Sequence, residues 1–374
     1  MIDEPRGTNP EEMDKLCELV GEVFGSRMCE RFPTLFCEEN ADNLRIIKTD
    51  GRIVSHIGVV VRDMIIKGCR ISVGNVGAVC THEEYRKRGY AWMILEDLIK
   101  KLRSDGVDML LVSGSRSLYI KHGCTHVGKV RRYLISEDIE LPKTNLELRL
   151  FSLEDLPSWV NIYTNEPVRF HRPYDDFRKL TLDANISRKN RSLYSILDEG
   201  CPVAYAVLDI NHREKDEFVS FNEYAGSRGA IVESLRLFRN ELGIPNITIP
   251  VSLHDIELAR LLDSKGLEPG YSSTGGTITI INFPQLCKKL MPLFEEIIGS
   301  MAKCLSFDYQ EGVYKIYFNG DNTIFDDAHD VARLIFGYPP DINEHNEFST
   351  NGELIKILKT IFPIPRPEYG LSYI

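Results

Sequence analysis

The sequence predicts an α/β (α+β) protein built on mixed sheets in more than one domain, and three observations carry that prediction. Short apolar runs of strand character alternate with stretches whose apolar residues recur every three or four positions. Antiparallel hairpin signals come first and a strand–helix–strand order follows, which is the mark of a mixed sheet. A strand–helix–glycine pattern then recurs further on, with Gly266 lying 143 positions after Gly123. At 374 residues, 43% hydrophobic and 27% charged, the chain can bury a large core in two or three units.

Residues 9–24 read as a helix started by Asn9, Pro10, Glu11 and Glu12, with Leu16, Val20 and Phe24 on one face. Asp50-Gly51 is a favoured two-residue turn between strands at 44–47 and 53–61. A strand through 64–66 turns at Lys67-Gly68 and returns through 71–81. The return strand runs into Arg86-Lys87-Arg88-Gly89-Tyr90-Ala91 and then a helix whose buried face is Ala91, Ile94, Leu95, Leu98, Ile99 and Leu102. A helix start leaves N–H groups unpaired at the positive end of its dipole, so a basic, glycine-bearing turn there can seat phosphate oxygens. No Walker loop and no dinucleotide Gly-x-Gly-x-x-Gly fingerprint is present.

Strand, Arg86-x-x-Gly89-x-Ala91 and helix together resemble the acyl-CoA pyrophosphate loop of the GCN5-related N-acetyltransferases, the GNAT superfamily. That resemblance implies acetyl-CoA as co-substrate. In that superfamily the strand after the CoA helix, here the run 109–112, splays from its neighbour, and a Tyr followed by a Gly turn lies near the CoA sulfur. Tyr119, ahead of Gly123 in the segment 113–124, fills that position. A phenol in reach of the departing thiolate can protonate it.

A new unit begins after Leu141-Pro142-Lys143. Strands are expected at 191–198 and 202–211, joined at Asp198-Glu199-Gly200, and at 218–224. A helix through Ile231, Leu235, Phe238 and Leu242, a strand at 246–251 and a helix at 254–264 complete it. Residues 262–266 align with 119–123, but Leu262 stands in the place of Tyr119 and the basic turn has no counterpart in register. The second unit therefore reads as a degenerate GNAT-like copy that binds no CoA. The third segment carries a helix at 284–301, a strand at 312–318, a helix through 331–337 and a Pro- and aromatic-rich tail, 362–374, too apolar to be a frayed end.

The order of these units, 1–142, 143–282 and 283–374, resembles the enhanced intracellular survival (Eis) family of acetyltransferases, as does the segment Glu166-Pro167-Val168-Arg169-Phe170-His171-Arg172-Pro173. The resemblance implies tandem GNAT-like domains, the second degenerate, followed by a sterol-carrier-protein-like C-terminal domain. It implies Tyr119 as general acid and the C-terminal carboxylate, here that of Ile374, as general base. CoA contacts would fall on Val79, Cys80, Thr81, Arg86, Lys87, Arg88, Gly89, Tyr90, Ala91, Trp92, Gly114 and Ser115, with the Val79 and Cys80 N–H groups polarising the thioester carbonyl. The chain departs from the family by ending in Ile where aromatic ends are known. The run 75–80 holds no Asp or Glu, which removes one common place for a base; His82 is the alternative to Ile374.

Nine Cys without a C-x-x-C pair argue against a zinc ribbon or a disulfide framework and read as core thiols, and His122 and His126 around Cys124 lack the spacing of metal ligands. No metal is expected. The net charge of −10 disfavours nucleic acid, no run is long and apolar enough to span a membrane, and an acidic, polar N-terminus is unlike a signal peptide, so a cytoplasmic setting is expected. Whether the chain forms a homo-oligomer stays open. The expected function is acetyl transfer from acetyl-CoA directly to a primary amine, on an aminoglycoside, a polyamine or a Lys side chain; the alternatives are a non-catalytic acyl-CoA-binding module and a lipid-binding module.

Overall fold

The computed structural model describes residues 3–25, 28–187, 190–213, 216–342 and 352–374. It contains two seven-stranded mixed sheets and a three-stranded antiparallel sheet. In the first sheet Arg6–Gly7, Leu44–Thr49, Arg52–Ile66 and Cys69–Thr81 pair antiparallel in that order. The helix Tyr90–Ser104 then carries the chain to Met109–Val112, which runs parallel to Cys69–Thr81. The expected break between 61 and 64 does not occur: Arg52–Ile66 is one strand, because its neighbour is long enough to pair along it.

The second sheet repeats this order. Arg191–Asp198, Cys201–Arg213 and Asp216–Gly226 form an antiparallel meander, and the helix Arg228–Leu242 crosses to Asn246–Ser252, parallel to Asp216–Gly226. Three strands cross between the units. Val130–Ile135 pairs with Asn246–Ser252 in the second sheet, while Val168–Phe170 and Thr277–Ile280 pair with Arg52–Ile66 and Met109–Val112 in the first. The linear divisions at 142/143 and 282/283 are thus bridged by hydrogen-bonded ladders.

The third sheet, Leu305–Gln310, Val313–Phe318 and Asp321–Phe325, packs with the helices Phe283–Ile298, Ala328–Phe336 and Glu353–Ile361. Its core is continuous with one end of the first sheet, where Phe283, Leu286, Leu290 and Phe294 meet Met64, Ile66, Ile71 and Met109. Each such side chain contributes about 1.5–3 kcal/mol by leaving water, so this segment is tied to the first sheet by its core. No helix among the described residues is long and apolar enough to cross a membrane.

The cysteines correct the expectation of uniform core thiols. Cys17 and Cys29 form a disulfide, joining the helix Met13–Phe24 to the short helix Met28–Arg31 that folds back on it. The pair is separated by 12 residues, a spacing without a motif. Cys69, Cys80, Cys124 and Cys287 are buried, whereas Cys201 and Cys304 are exposed.

Candidate active site

The basic turn forms as the strand Cys69–Thr81 ends. A short 3-10 turn, Glu83–Tyr85, capped by the His82 ring, leads to Lys87 and Gly89, both with positive φ (63° and 81°), and Gly89 starts the helix Tyr90–Ser104 with no side chain capping its first N–H groups. A residue with a Cβ is strained at that φ, which accounts for glycine at this position. Arg86, Lys87, Arg88 and Gly89 are exposed, and the space around Gly89 is open. Arg86 donates to the Thr81 carbonyl (3.2 Å) and Arg88 to that of Glu84 (3.0 Å) while lying over the Tyr85 ring, so the guanidiniums are tethered without being neutralised. Tyr90 is buried under the turn. Ala91 follows it, and Trp92 lies against the His122 ring at 4.0 Å.

Next to this turn the parallel strands part. Pairing runs from Val73–Met109 to Val76–Val112 and stops, while the first strand continues to Thr81. Its outer ladder slips at the same place: Gly77 faces Gly58 and Cys80 faces His56, so Ala78 and Val79 stand against Ile57 alone, Ala78 with φ of 52°. A bulge of this kind re-aims backbone groups at one point of a sheet. Thr81 is fixed by a 2.8 Å hydroxyl contact with Ser55. Gly114 accepts from the Thr277 hydroxyl (2.7 Å), and Ser115 is exposed beyond it.

Tyr119, on the short helix Ser117–Ile120, packs with Val76, Val112, Tyr90 and Cys124, at the point where the strands diverge. Gly114 lies beside its ring, a Cβ there falling at ordinary contact distance, 3.8 Å, from Tyr119 Cε2. Burial pushes the phenol up to about 12, with Arg116 pulling the other way, so it is a protonated donor across the physiological range. Burial also pushes the Cys80 and Cys124 thiols up to about 12, which leaves neither a thiolate for acyl capture. His122 contacts the Leu118 carbonyl and His126 that of Gly276.

The chain end reaches the same strand from the other face. Ile374 is buried among Leu16, Val20, Leu35, Val60 and Cys80, and its carboxyl carbon lies 3.2 Å from where a Cβ on Gly77 would be. The pairing stop, the bulge and the C-terminus therefore converge on Gly77–Cys80. His82 sits at the edge of this region, 3.6 Å from Glu22.

Sequence reasoning missed what holds the tail. Arg172 and Glu223 form a buried bidentate pair that contacts Leu371 and Ser372, and Gly77 clears space for Ile374. Arg172 lies in the segment 166–173 noted from the sequence, but nothing local to either residue signals a partner 51 positions away.

Residues 4–127 match the family model of the acetyltransferase (GNAT) domain. No curated protein matches the sequence. Solved structures match over nearly the whole length: a GCN5-related N-acetyltransferase from Anabaena variabilis (15% identity, 98% of each chain, TM-score 0.66), a probable N-acyltransferase from Enterococcus faecalis (12%, 98% and 97%, 0.68) and Eis1 from Mycobacterium abscessus (11%, 100% of each, 0.65). At these identities the structural likeness speaks for the fold, and the domain match speaks for acyl transfer as the class of activity.

Proposed function

The chain is a GNAT-superfamily member that resembles Eis in fold, and from that premise we propose that it moves an acetyl group from acetyl-CoA directly to a primary amine. The observation that carries the reading is the convergence on the strand end Val76–Cys80 of the strand splay and Tyr119 at Val76, the bulge, and the C-terminus at Gly77.

In this reading the turn Arg86–Trp92 seats the pyrophosphate on N–H groups and three cations. The Val79 and Cys80 N–H groups receive the charge that builds on the thioester oxygen, and the Gly114-Ser115 loop borders the acyl carrier. An alkyl ammonium, with an unperturbed pKa near that of Lys, about 10.4, must lose a proton before attack. The Ile374 carboxylate takes it, directly or through water, and Tyr119 gives its proton to the departing sulfur. The amine nitrogen bonds to the carbonyl carbon, the C–S bond breaks, and free CoA leaves as the thiol. The acceptor is an amine of small-molecule or peptidyl type.

We read the second sheet as a degenerate copy of the first, supported by its matching meander and parallel crossover, and residues 283–374 as a sterol-carrier-protein-like unit, supported by three antiparallel strands packed with three helices. The units 1–142, 143–282 and 283–374 then exchange strands at their borders.

The test is thiol release from acetyl-CoA against polyamines, aminoglycosides and Lys peptides, beside Tyr119→Phe and a deletion of Ile374. Acceptor-dependent release that collapses in both variants supports the reading. Tight acetyl-CoA binding with no release for any amine would replace it with a binding module.

A further inference from the structure

The second sheet opens as the first does. Its parallel pairing runs from Phe218–Asn246 to Ser220–Thr248 and ends, and Glu223 stands three residues beyond the last pair, inside the opening. In the first sheet the equivalent opening adjoins Tyr119. In the second it receives the C-terminal tail.

The contacts there are specific. Arg172 and Glu223 make two parallel bonds of 2.7 Å, the guanidinium fully buried and the carboxylate nearly so. Glu223 also accepts from the Tyr205 hydroxyl (2.7 Å) and from the Leu371 backbone N–H (2.8 Å), while Arg172 Nε donates to the Ser372 hydroxyl (3.0 Å). The guanidinium lies over the Tyr163 ring at 4.3 Å, so its plane is fixed from a third side. Gly370 has φ of 51°, and a Cβ on it would come within 1.8 Å of Glu223 Oε2. Only glycine lets the tail lie this close. The pair thus grips the chain two and three residues before Ile374, which ends against Gly77 in the other sheet.

An ion pair placed to stabilise the second sheet alone would have no need of tail contacts from both of its members. We propose that the opening of the second sheet serves as a holder for the tail, with Arg172 and Glu223 as positioning residues that set the Ile374 carboxylate at Gly77. The proposal rests on the reading of Ile374 as the base, and it gives the second copy a task in place of the cofactor binding it lacks. Displacing a catalytic group by about an ångström can cost about 100-fold in rate.

The experiment compares the parent with Glu223→Gln and with Gly370→Ala, the second of which keeps both members of the ion pair in the chain and drives a Cβ against the Glu223 carboxylate. Carboxypeptidase Y digestion followed by mass spectrometry reports tail seating without any turnover. Both variants should release Ile374 about tenfold faster than the parent at a temperature where all three are folded; equal release overturns the proposal. With an amine that the parent acetylates, both variants should lose about 100-fold in kcat with the acetyl-CoA Kd unchanged. In a background lacking Ile374, Glu223→Gln should change the rate less than about twofold, because the group it positions is already gone. A full additional loss there would mark a general structural role and overturn the proposal. If the parent acetylates no amine, the proposed function fails while the digestion still decides whether the pair holds the tail.

Discussion

The turns that open the two crossover helices share a topology and differ in what faces their charges. At Arg86–Trp92 three cations stand exposed around a helix start that no side chain caps. At Gly226–Ala230 the same location is occupied from within. Glu166 accepts from the Gly226 N–H (2.9 Å) and takes both Nη groups of Arg228 (2.7 and 2.6 Å), Asp255 binds Arg228 Nε (2.9 Å), and the Ser227 hydroxyl caps the Ala230 N–H. A carboxylate of the chain thus fills the mouth of this turn. A cavity of about 620 Å³ beside it is lined by Tyr224, Arg228, His254, Asp255, Arg366 and Glu368, so space remains there after the anion seat is filled. On the proposed reading, the difference teaches that a strand–turn–helix unit seats a cofactor only where the fold does not supply its own counter-ion.

Four measurements break or sharpen this comparison. Deleting Ile374 withdraws the chain end from the first unit and moves the terminal carboxylate back by one residue, about 3.5 Å. The acetyl-transfer rate should fall about 10³-fold with the acetyl-CoA Kd unchanged, and an unaltered rate would assign the base elsewhere, His82 first.

His56, buried behind the bulge with Nδ1 on the Arg45 carbonyl, has its pKa pulled down by burial to about 4. The unfolded chain therefore binds its proton first as pH falls from about 6.5. Stability should be complete above that value and decline by about 3 kcal/mol between pH 6.5 and 4, with His56→Gln flattening the slope in urea titrations.

Arg228→Gln leaves Glu166 and Asp255 without their cation in a mostly buried setting. It should cost about 3 kcal/mol in urea unfolding and leave acetyl-CoA affinity untouched. Arg86→Gln is the mirror case: exposed, and bonded to the Thr81 carbonyl where Arg228 is bonded to carboxylates, it should leave stability within about 0.5 kcal/mol and weaken acetyl-CoA binding about fivefold, less at high salt. A CoA effect from Arg228, or none from Arg86, would reverse the assignment of the two turns.

Local patterns in the sequence carry a good part of this picture. The apolar spacing of Ile94, Leu95, Leu98 and Leu102 marks a helix whose buried face is the one observed, and Asp50-Gly51 turns the hairpin where expected. Phe24, assigned to a buried face, is exposed because the helix ends there at Gly25. What stayed illegible is nonlocal. The strand Val168–Phe170 is three residues long and is stabilised by Arg52–Ile66, over a hundred residues earlier, so no alternation could announce it. The Cys17–Cys29 bond, the Arg172–Glu223 pair and the seating of Glu166 on Arg228 likewise depend on meetings that only the assembled sheets create. At the candidate site, the basic turn and Tyr119 were legible because their chemistry is contiguous, whereas Gly77 gains meaning only from the tail beside it.

The strand exchange has a consequence for anyone who would dissect the molecule. A fragment cut at residue 142 would carry Val130–Ile135 without its sheet and would bare Met109–Val112, whose outer neighbour Thr277–Ile280 stays with the other piece. An uncovered, fully apolar edge of that kind recruits foreign strands, so such halves should aggregate when made separately and regain solubility only when produced together.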